Sequence, residues 1–369
     1  MVAGQSNNFV ETALSYALNY VTSVQKDFQI QPASVTILAD NDYYSQQAAS
    51  NTSSTASTPR FAHFDTPIWK ANKTGLGSSA ALVTSLIGAI LSFYMPSNDF
   101  SIHTDNGKRR LHNLAQAAHC AAQGKVGSGF DVASAVSGSC VYRRFSPSVI
   151  ENLADASSKG FAESLRKVVE DEGVWDVEIT KSKVSIPKGL RLVMCDVDCG
   201  SKTPGMVKQV LQWRKQNPQI ATSIWDELQA TNSRLAAELV SLSKAGSSND
   251  YDKLRDIIQE NRKLVRQMSR ESNVPIEPEA QTKLLDACSQ IKGVIGGVTP
   301  GAGGYDAVVL LIEDKAEVVE SLRDMLKDYK FKVKDVETVG SGRVGLLRVR
   351  EEMEGVKEER IEDYSEWIG

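Results

Sequence analysis

The chain has 369 residues, 41% of them hydrophobic and 24% charged, which suits a globular protein of about two domains and sets aside collagen-like, coiled-coil and disordered classes. A formal net charge of −4 sets aside a general nucleic-acid binder, so any positive field has to be local. Five cysteines (Cys120, Cys140, Cys195, Cys199 and Cys288) form no C-x-x-C pair, and an odd number points to reduced thiols.

Residues Met1 to Val10 show neither a basic leader nor an apolar signal core, and the longest apolar stretch, Ala80 to Met95, is broken by Thr84, Ser85, Gly88 and Ser92. No membrane span and a cytoplasmic address are expected. Phe9, Ala13, Tyr16, Ala17 and Tyr20 recur at helical spacing and predict a helix over Asn8–Val24. Val35, Ile37 and Ala39 alternate with Thr36, Leu38 and Asp40 and predict a partly buried strand ending at the turn Asp40-Asn41-Asp42. From Ser45 to Pro59 the composition falls to Ser, Thr, Ala, Gln and Asn, and a mobile insertion over 45–60 is expected. A strand over Phe61 to Phe64 then leads into Lys73-Thr74-Gly75-Leu76-Gly77-Ser78-Ser79-Ala80 and a nearly all-apolar, hence buried, helix to Tyr94.

A further helix over Lys108 to Gln123 stops at Gly124 and opens into Gly127-Ser128-Gly129-Phe130-Asp131. Val141 to Phe145, Trp175 to Thr180 and Leu190 to Val197 read as strands, and Pro187 marks a boundary between domains 1–187 and 188–369. Beyond it Thr203 is placed to cap a helix with Pro204 at its first position and Val207, Val210 and Leu211 on one face. Long helices follow around Ile220 to Ser243 and Tyr251 to Glu271. After Gly301-Ala302-Gly303-Gly304 come a strand over Ala307 to Ile312, a helix carrying Val318, Leu322, Met325 and Leu326, and a last strand. No internal repeat is present.

Three glycine turns carry candidate chemistry. Gly75 to Ser79, between a strand and a buried helix, suits a phosphate, because glycines admit the ligand to the backbone and helix N-terminal amides point outward. No Gly-Lys-Ser or Gly-Lys-Thr occurs, so this is not a Walker A loop. The hydroxyls of Ser78 and Ser79 are candidate Mg²⁺ ligands; a plain helix cap is the competing reading. The second turn has Lys125 on one side and the Asp131 carboxylate on the other, and by itself reads more readily as a cap than as a site. Gly301 to Gly304 is the third. His112 and His119 share a helix face and read as core or pocket wall, Cys195 and Cys199 as packing, and Glu351 to Asp363 as a solvated tail.

Lys73 to Ala80 resembles the second conserved motif of the GHMP kinase superfamily. His119-Cys-Ala-Ala-Gln-Gly-Lys-Val-Gly-Ser-Gly-Phe-Asp131 resembles the catalytic segment of its phosphomevalonate kinase family. Ile276-Glu-Pro-Glu-Ala-Gln-Thr-Lys-Leu-Leu-Asp286, with Pro300-Gly-Ala-Gly-Gly-Tyr-Asp306, resembles the third conserved region. The resemblance implies an α+β GHMP kinase fold: an incomplete N-terminal ribosomal S5-like domain over 1–187 that holds ATP, and a C-terminal ferredoxin-like domain over 188–369. It implies Mg²⁺-dependent transfer of the ATP γ-phosphoryl group to 5-phosphomevalonate, giving 5-diphosphomevalonate and ADP on the isoprenoid route, with no protein partner implied.

By the same resemblance Lys73, Thr74, Gly75, Leu76, Gly77, Ser78, Ser79 and Ala80 bind ATP, Ser79 holds the metal, and Asp131, Lys125 and Lys73 are catalytic. Ser128, Gly129, Ser201, Lys202, Thr203, Gly301, Gly303 and Gly304 are assigned to the acceptor. A phosphomonoester, with a second pKa of about 6, is already largely ionised at neutral pH, so Asp131 is expected to orient a lysine or the metal more than to remove a proton. Bringing two polyanions together calls for cations, with Lys73, Lys125, Arg143 and Arg144 as candidates. Strand alternation sends Arg143 and Arg144 to opposite faces, so one of them at most faces the site.

Two departures stand out. Family members begin with a strand and a Ser-Ala-Pro-Gly-Lys-type loop, for which this chain has no counterpart, so an incomplete site is expected. Where mevalonate kinases place a Mg²⁺-binding glutamate on the helix before the catalytic turn, this helix offers His119, Cys120 and Gln123. Mevalonate kinase and a non-catalytic nucleotide-binding relative remain the alternatives.

Overall fold

A computed structural model describes residues 6–25, 27–43, 61, 74–181, 186–197, 205–246, 250–329, 344–347 and 349–367. The insertion expected at 45–60, most of the strand expected at Phe61 to Phe64, Lys73, Cys199, and Ser201, Lys202 and Thr203 with the expected cap lie outside the described residues. The described residues fall into two compact units, one within Met1–Leu38, Gly77–Ser182 and Glu352–Gly369, the other within Ala39–Leu76 and Lys183–Glu351.

In the first unit, α1 (Asn8–Val24) starts where the Asn7 side chain accepts from the Phe9 and Val10 amides, and it buries Ala13, Tyr16, Ala17, Tyr20 and Val21. The strand expected from Val35 onward does not form. Val35 and Ile37 are 48% and 46% exposed, and the segment is irregular up to a 3₁₀ turn at Asn41–Tyr43. Alternation describes two faces, but a strand also needs a neighbour to take its amides and carbonyls.

The apolar helix α2 (Ser78–Tyr94) packs on α1 and on α3 (Asp105–Gln123), with Leu111 set against Gly88. α3 is capped by Thr104, whose Oγ1 accepts from Gly107, and ends at Gly124 in the left-handed region. Although α3 is much more polar than α2, it is buried along most of its length: Arg110, His112, Asn113, Gln116 and His119 are each at most 7% exposed. Apart from Gln116 Oε1, which has no partner, their buried polar atoms are matched, as burial demands. Arg110 donates to the Tyr20 hydroxyl (2.6 Å) and the Asp99 carbonyl (2.5 Å), and Asn113 donates to the Val169 carbonyl (3.0 Å).

Around this core lie α4 (Phe130–Ser137), β1 (Val141–Arg143), α5 (Ser148–Glu151), α6 (Phe161–Glu170) and β2 (Glu178–Thr180), with β1 and β2 antiparallel. The acidic run read as a solvated tail is tied to the end of α4 from Glu352 onward. Ser139 N–H donates to the Glu352 carbonyl (2.6 Å) and Val356 N–H to the Val136 carbonyl (3.2 Å). Charge pattern reports side chains, whereas this contact is made by backbone.

The second unit contains β3 (Leu190–Val197), α7 (Met206–Gln216), α8 (Pro218–Ala245), α9 (Asp252–Ser272), α10 (Glu279–Ser289), β4 (Val294–Val298), β5 (Ala307–Glu313), α11 (Ala316–Asp328) and β6 (Val344–Leu346). Among the described residues its sheet runs β4-β5-β3-β6, antiparallel throughout. The first and third strands of a βαββαβ succession occupy the centre, which is the ferredoxin-like arrangement. Val193, Cys195 and Val197 pack with Leu284, Leu285 and Cys288 of α10 and Leu322 of α11, while Leu190, Ile295 and Leu311 pack with Leu239, Leu254 and Ile258. Both faces are covered, so β3 reads as an apolar run with little alternation. On α7 the buried positions are Met206 and Trp213, with Val210 packed beside them. Val207 and Leu211 are 54% and 47% exposed, so the expected face was one step out of phase.

An ion network holds the segment after α9. Arg262 and Glu277 each have a 1% exposed side chain and meet at 2.8 Å, while Arg262 also reaches Asp286 (2.8 Å) and Arg266 reaches Glu277 (2.9 Å). Two positive and two negative groups balance. Against Ile276 lies Gly303, whose φ of +76° suits glycine and where a Cβ would stand 2.2 Å from the Ile276 carbonyl oxygen.

Two stability measurements check these interiors. Breaking a buried pair from one side costs about 3–5 kcal/mol, so Glu277→Ala is expected to lose that much in chemical unfolding, and the double change Arg262→Met, Glu277→Leu to recover most of it. Burial of His112, opposed only by its bond to Asn113, lowers its pKa to about 4. The unfolded residue protonates near ~6.5. Stability is therefore lost as pH falls from there to about 4, by roughly 3 kcal/mol, and this fall is expected to be missing from the pH series of His112→Gln.

Candidate active site

The glycine turn before α2 is built by two left-handed residues, Gly75 (φ +76°) and Gly77 (φ +74°). Gly77 is the cap position of α2 and contributes no side-chain bond, so Ser78 and Ser79 occupy the first two helical positions. They follow the cap, so neither serine caps the helix through its hydroxyl. Thr74 is committed to the loop, its Oγ1 donating to the Asp42 carbonyl (2.7 Å) and its N–H to the Tyr43 carbonyl (3.2 Å). Ala80 is buried in the core, while Gly75 is exposed and Leu76 half-buried.

α4 begins in the same way. Gly129 (φ +77°) stands at its cap without a side-chain bond, and Asp131 is the second helical residue. The two helix starts face one another: a Cβ on Gly77 would lie 3.5 Å from the Asp131 Cβ. Each start carries outward amides and the positive end of a helix dipole, which suits an anion. Asp131 Oδ1 accepts from the Val132 amide (3.0 Å), which fixes the carboxylate against its own helix.

The turn from Val126 to Gly129 is braced from three sides. Gln116 donates to the Gly129 carbonyl (2.6 Å), Tyr142 to the Ser128 carbonyl (3.0 Å), and Arg144 to the Val126 carbonyl (3.2 Å). Glycine suits position 129, since its φ of +77° is left-handed and a Cβ would displace the Tyr142 hydroxyl (2.7 Å) and the Gln116 amide (2.8 Å) from the turn. Burial pushes Tyr142 up to about 12, so it remains a donor. Tyr142 and Arg144 share strand parity and lean on the turn, whereas Arg143 pairs with Glu178 on the opposite face.

His119 enters this site from α3. Its Nε2 lies 3.1 Å from Ser79 Oγ and 3.9 Å from Asp131 Oδ2. Both approach the same nitrogen, whereas a Ser-His-Asp relay uses opposite nitrogens, so this is not a hydrolase triad. The signal was legible: His112, Gln116, His119 and Gln123 recur at helical spacing as a polar stripe on a buried helix.

Other expected site residues lie elsewhere. Lys125 lines a cleft of about 620 Å³ with Tyr16, Cys120, Ile150 and Leu153. Burial pushes the Cys120 thiol up, away from a nucleophilic thiolate. In the second unit Gly301, Gly303 and Gly304 all have positive φ, but Gly303 N–H donates to the Pro300 carbonyl (3.0 Å) and Gly304 N–H to the Ile276 carbonyl (2.9 Å). Those amides are occupied within the protein. Among the described residues no three His, Cys, Asp or Glu side chains form a metal cluster. The oxygens of Ser79 and Asp131 nonetheless suit Mg²⁺, a hard cation that keeps several waters and phosphate oxygens.

Residues 59–139 match the GHMP kinases N terminal domain and residues 237–330 the GHMP kinases C terminal domain. The chain is 49% identical over 372 residues to a phosphomevalonate kinase of Aspergillus fumigatus, covering 99% of this chain and 76% of the relative. To a phosphomevalonate kinase of Gibberella zeae it is 50% identical over 365 residues, covering 98% and 78%. Among solved structures, a Lin0012 protein from Listeria innocua shares the fold, with a TM-score of 0.61 at 18% identity over 94% of this chain and 82% of that one. With about half its residues shared with such relatives over nearly its whole length, the chain belongs to the phosphomevalonate kinase family of the GHMP kinases.

Proposed function

We propose that the chain transfers the γ-phosphoryl group of ATP to the phosphate of 5-phosphomevalonate, forming 5-diphosphomevalonate and ADP. The observation that carries the reading is the meeting of two uncapped helix N-termini, α2 and α4, at Gly77 and Asp131. Two aligned positive ends suit a group that is anionic before, during and after transfer. The nucleotide-binding residues belong to 1–187, with Lys73 kept among them on the strength of the resemblance, as Ser201, Lys202 and Thr203 are kept for the acceptor.

Ser79 and Asp131 are the residues that would hold Mg²⁺, which when bound neutralises charge on phosphoryl oxygens. Asp131, tied through Oδ1 to its own helix, acts by orientation, because the attacking phosphate oxygen is already ionised at neutral pH. Arg144, held on the turn beside Ser128 and Gly129, supplies positive charge on the acceptor side, and Lys125, which lines the neighbouring cleft, is kept on the strength of the resemblance. The reading places the enzyme in the cytoplasm. Free thiols at Cys120, Cys140, Cys195 and Cys288 support a reducing compartment, and no described helix is long and apolar enough to cross a membrane.

Two measurements test this. Steady-state ADP release is expected to favour 5-phosphomevalonate over mevalonate by at least about 10²-fold in kcat/KM, the scale of losing one matched charge contact; equal rates would favour the mevalonate kinase reading, and no release with either the non-catalytic one. Ser79→Ala is expected to lower kcat/KM for Mg²⁺-ATP by about 10²–10³-fold while the thermal midpoint barely moves. Normal kinetics with a large loss of stability would reduce Ser79 to a structural residue.

A further inference from the structure

His119 is the buried side chain at this site for which phosphoryl transfer names no task. It is 3% exposed, and groups from three helices converge on one ring nitrogen: Ser79 Oγ of α2 (3.1 Å), Gln123 Nε2 of α3 (3.0 Å) and Asp131 Oδ2 of α4 (3.9 Å). The tautomer decides where the protons lie. Gln123 Nε2 is 3.0 Å from Nε2 and 3.4 Å from Nδ1 and so lies over the ring, which leaves the single Nε2 lone pair, in the tautomer protonated at Nδ1, to accept the Ser79 hydroxyl proton. A hydroxyl whose hydrogen is turned back into the protein presents its oxygen lone pairs outward, as a hard cation requires.

We propose that His119 is a positioning residue that holds the Ser79 hydroxyl proton inward, so that Ser79 offers its oxygen to the cation accompanying the nucleotide. This rests on the reading of Ser79 as a Mg²⁺ ligand. His119 is placed for the task by the shape of the site, with the Phe9 ring 5.6 Å from its own and α2 packed on α3. Glutamine at this position reaches the region of Nε2 with an acceptor oxygen, whereas phenylalanine fills the space without one. The hydrogen bond and mere packing therefore make different predictions.

The test is ATP affinity by calorimetry, with Mg²⁺ and with EDTA, which needs no turnover. In His119→Phe the tightening of ATP binding by Mg²⁺ is expected to shrink by about threefold to tenfold, the scale of one hydrogen bond, while affinity in EDTA and the thermal midpoint hold. His119→Gln is expected to restore the tightening, and the double change Ser79→Ala, His119→Phe to lose no more than Ser79→Ala alone. If phenylalanine prevents folding, His119→Met takes its place. An unchanged Mg²⁺ effect in His119→Phe, with Ser79→Ala impaired, overturns the role of His119 alone. An unchanged effect in both overturns the metal reading beneath it, and equal losses in the phenylalanine and glutamine variants reduce His119 to packing.

Discussion

The site depends on an electrostatic constraint: two helices, α2 and α4, direct their uncapped N-termini at one place, with Gly77 against Asp131. Each starts at a left-handed glycine, so neither cap residue brings a side chain to the first amides, and on α4 Asp131 takes up only the Val132 amide. In an ordinary helix a glycine cap costs only about a few tenths of a kcal/mol relative to serine or aspartate. On the proposed reading these free donors are what would hold an anion, as helix N-termini do.

Holding two positive ends together takes a rigid third element, and α3 provides it. Burying five polar side chains on one helix is costly unless they are matched, and along α3 they find carbonyls, hydroxyls and one another. The same face that anchors α3 to α1 and α6 through Arg110 and Asn113 reaches the Gly129 turn through Gln116 and Ser79 through His119. Core and site thus share one helix. Tyr142 of β1 and Arg144 just beyond it close the other side of the turn.

In the second unit two acidic residues of the third conserved region, Glu277 and Asp286, go to Arg262, and Gln281 donates to the Tyr305 carbonyl (2.7 Å). Together with Gly304 on the Ile276 carbonyl these bonds lock the glycine loop to the start of α10. What looked like a third phosphate cradle is, in its amides, a structural clasp. The buried pair gives that clasp a single register, because slipping either partner would leave a charge unpaired.

Local features were legible in the amino-acid sequence because their causes are local. The apolar faces of α1 and α2, the glycine that stops α3, the runs that become β3 and β5, and the order of the three glycine turns each follow from residues near one another in the chain. Family membership followed from those turns. Among the described residues the Val35 segment forms no strand, because a strand needs a neighbour that its own alternation does not specify. The phase of α7, the return of Glu352 and Val356 to α4, the meeting of Arg262 with Glu277, and the convergence of Ser79, His119 and Asp131 were decided by tertiary structure alone. Each depends on which distant segment arrives to accept a proton, fill a space or balance a charge, and a one-dimensional pattern carries periodicity but not partners.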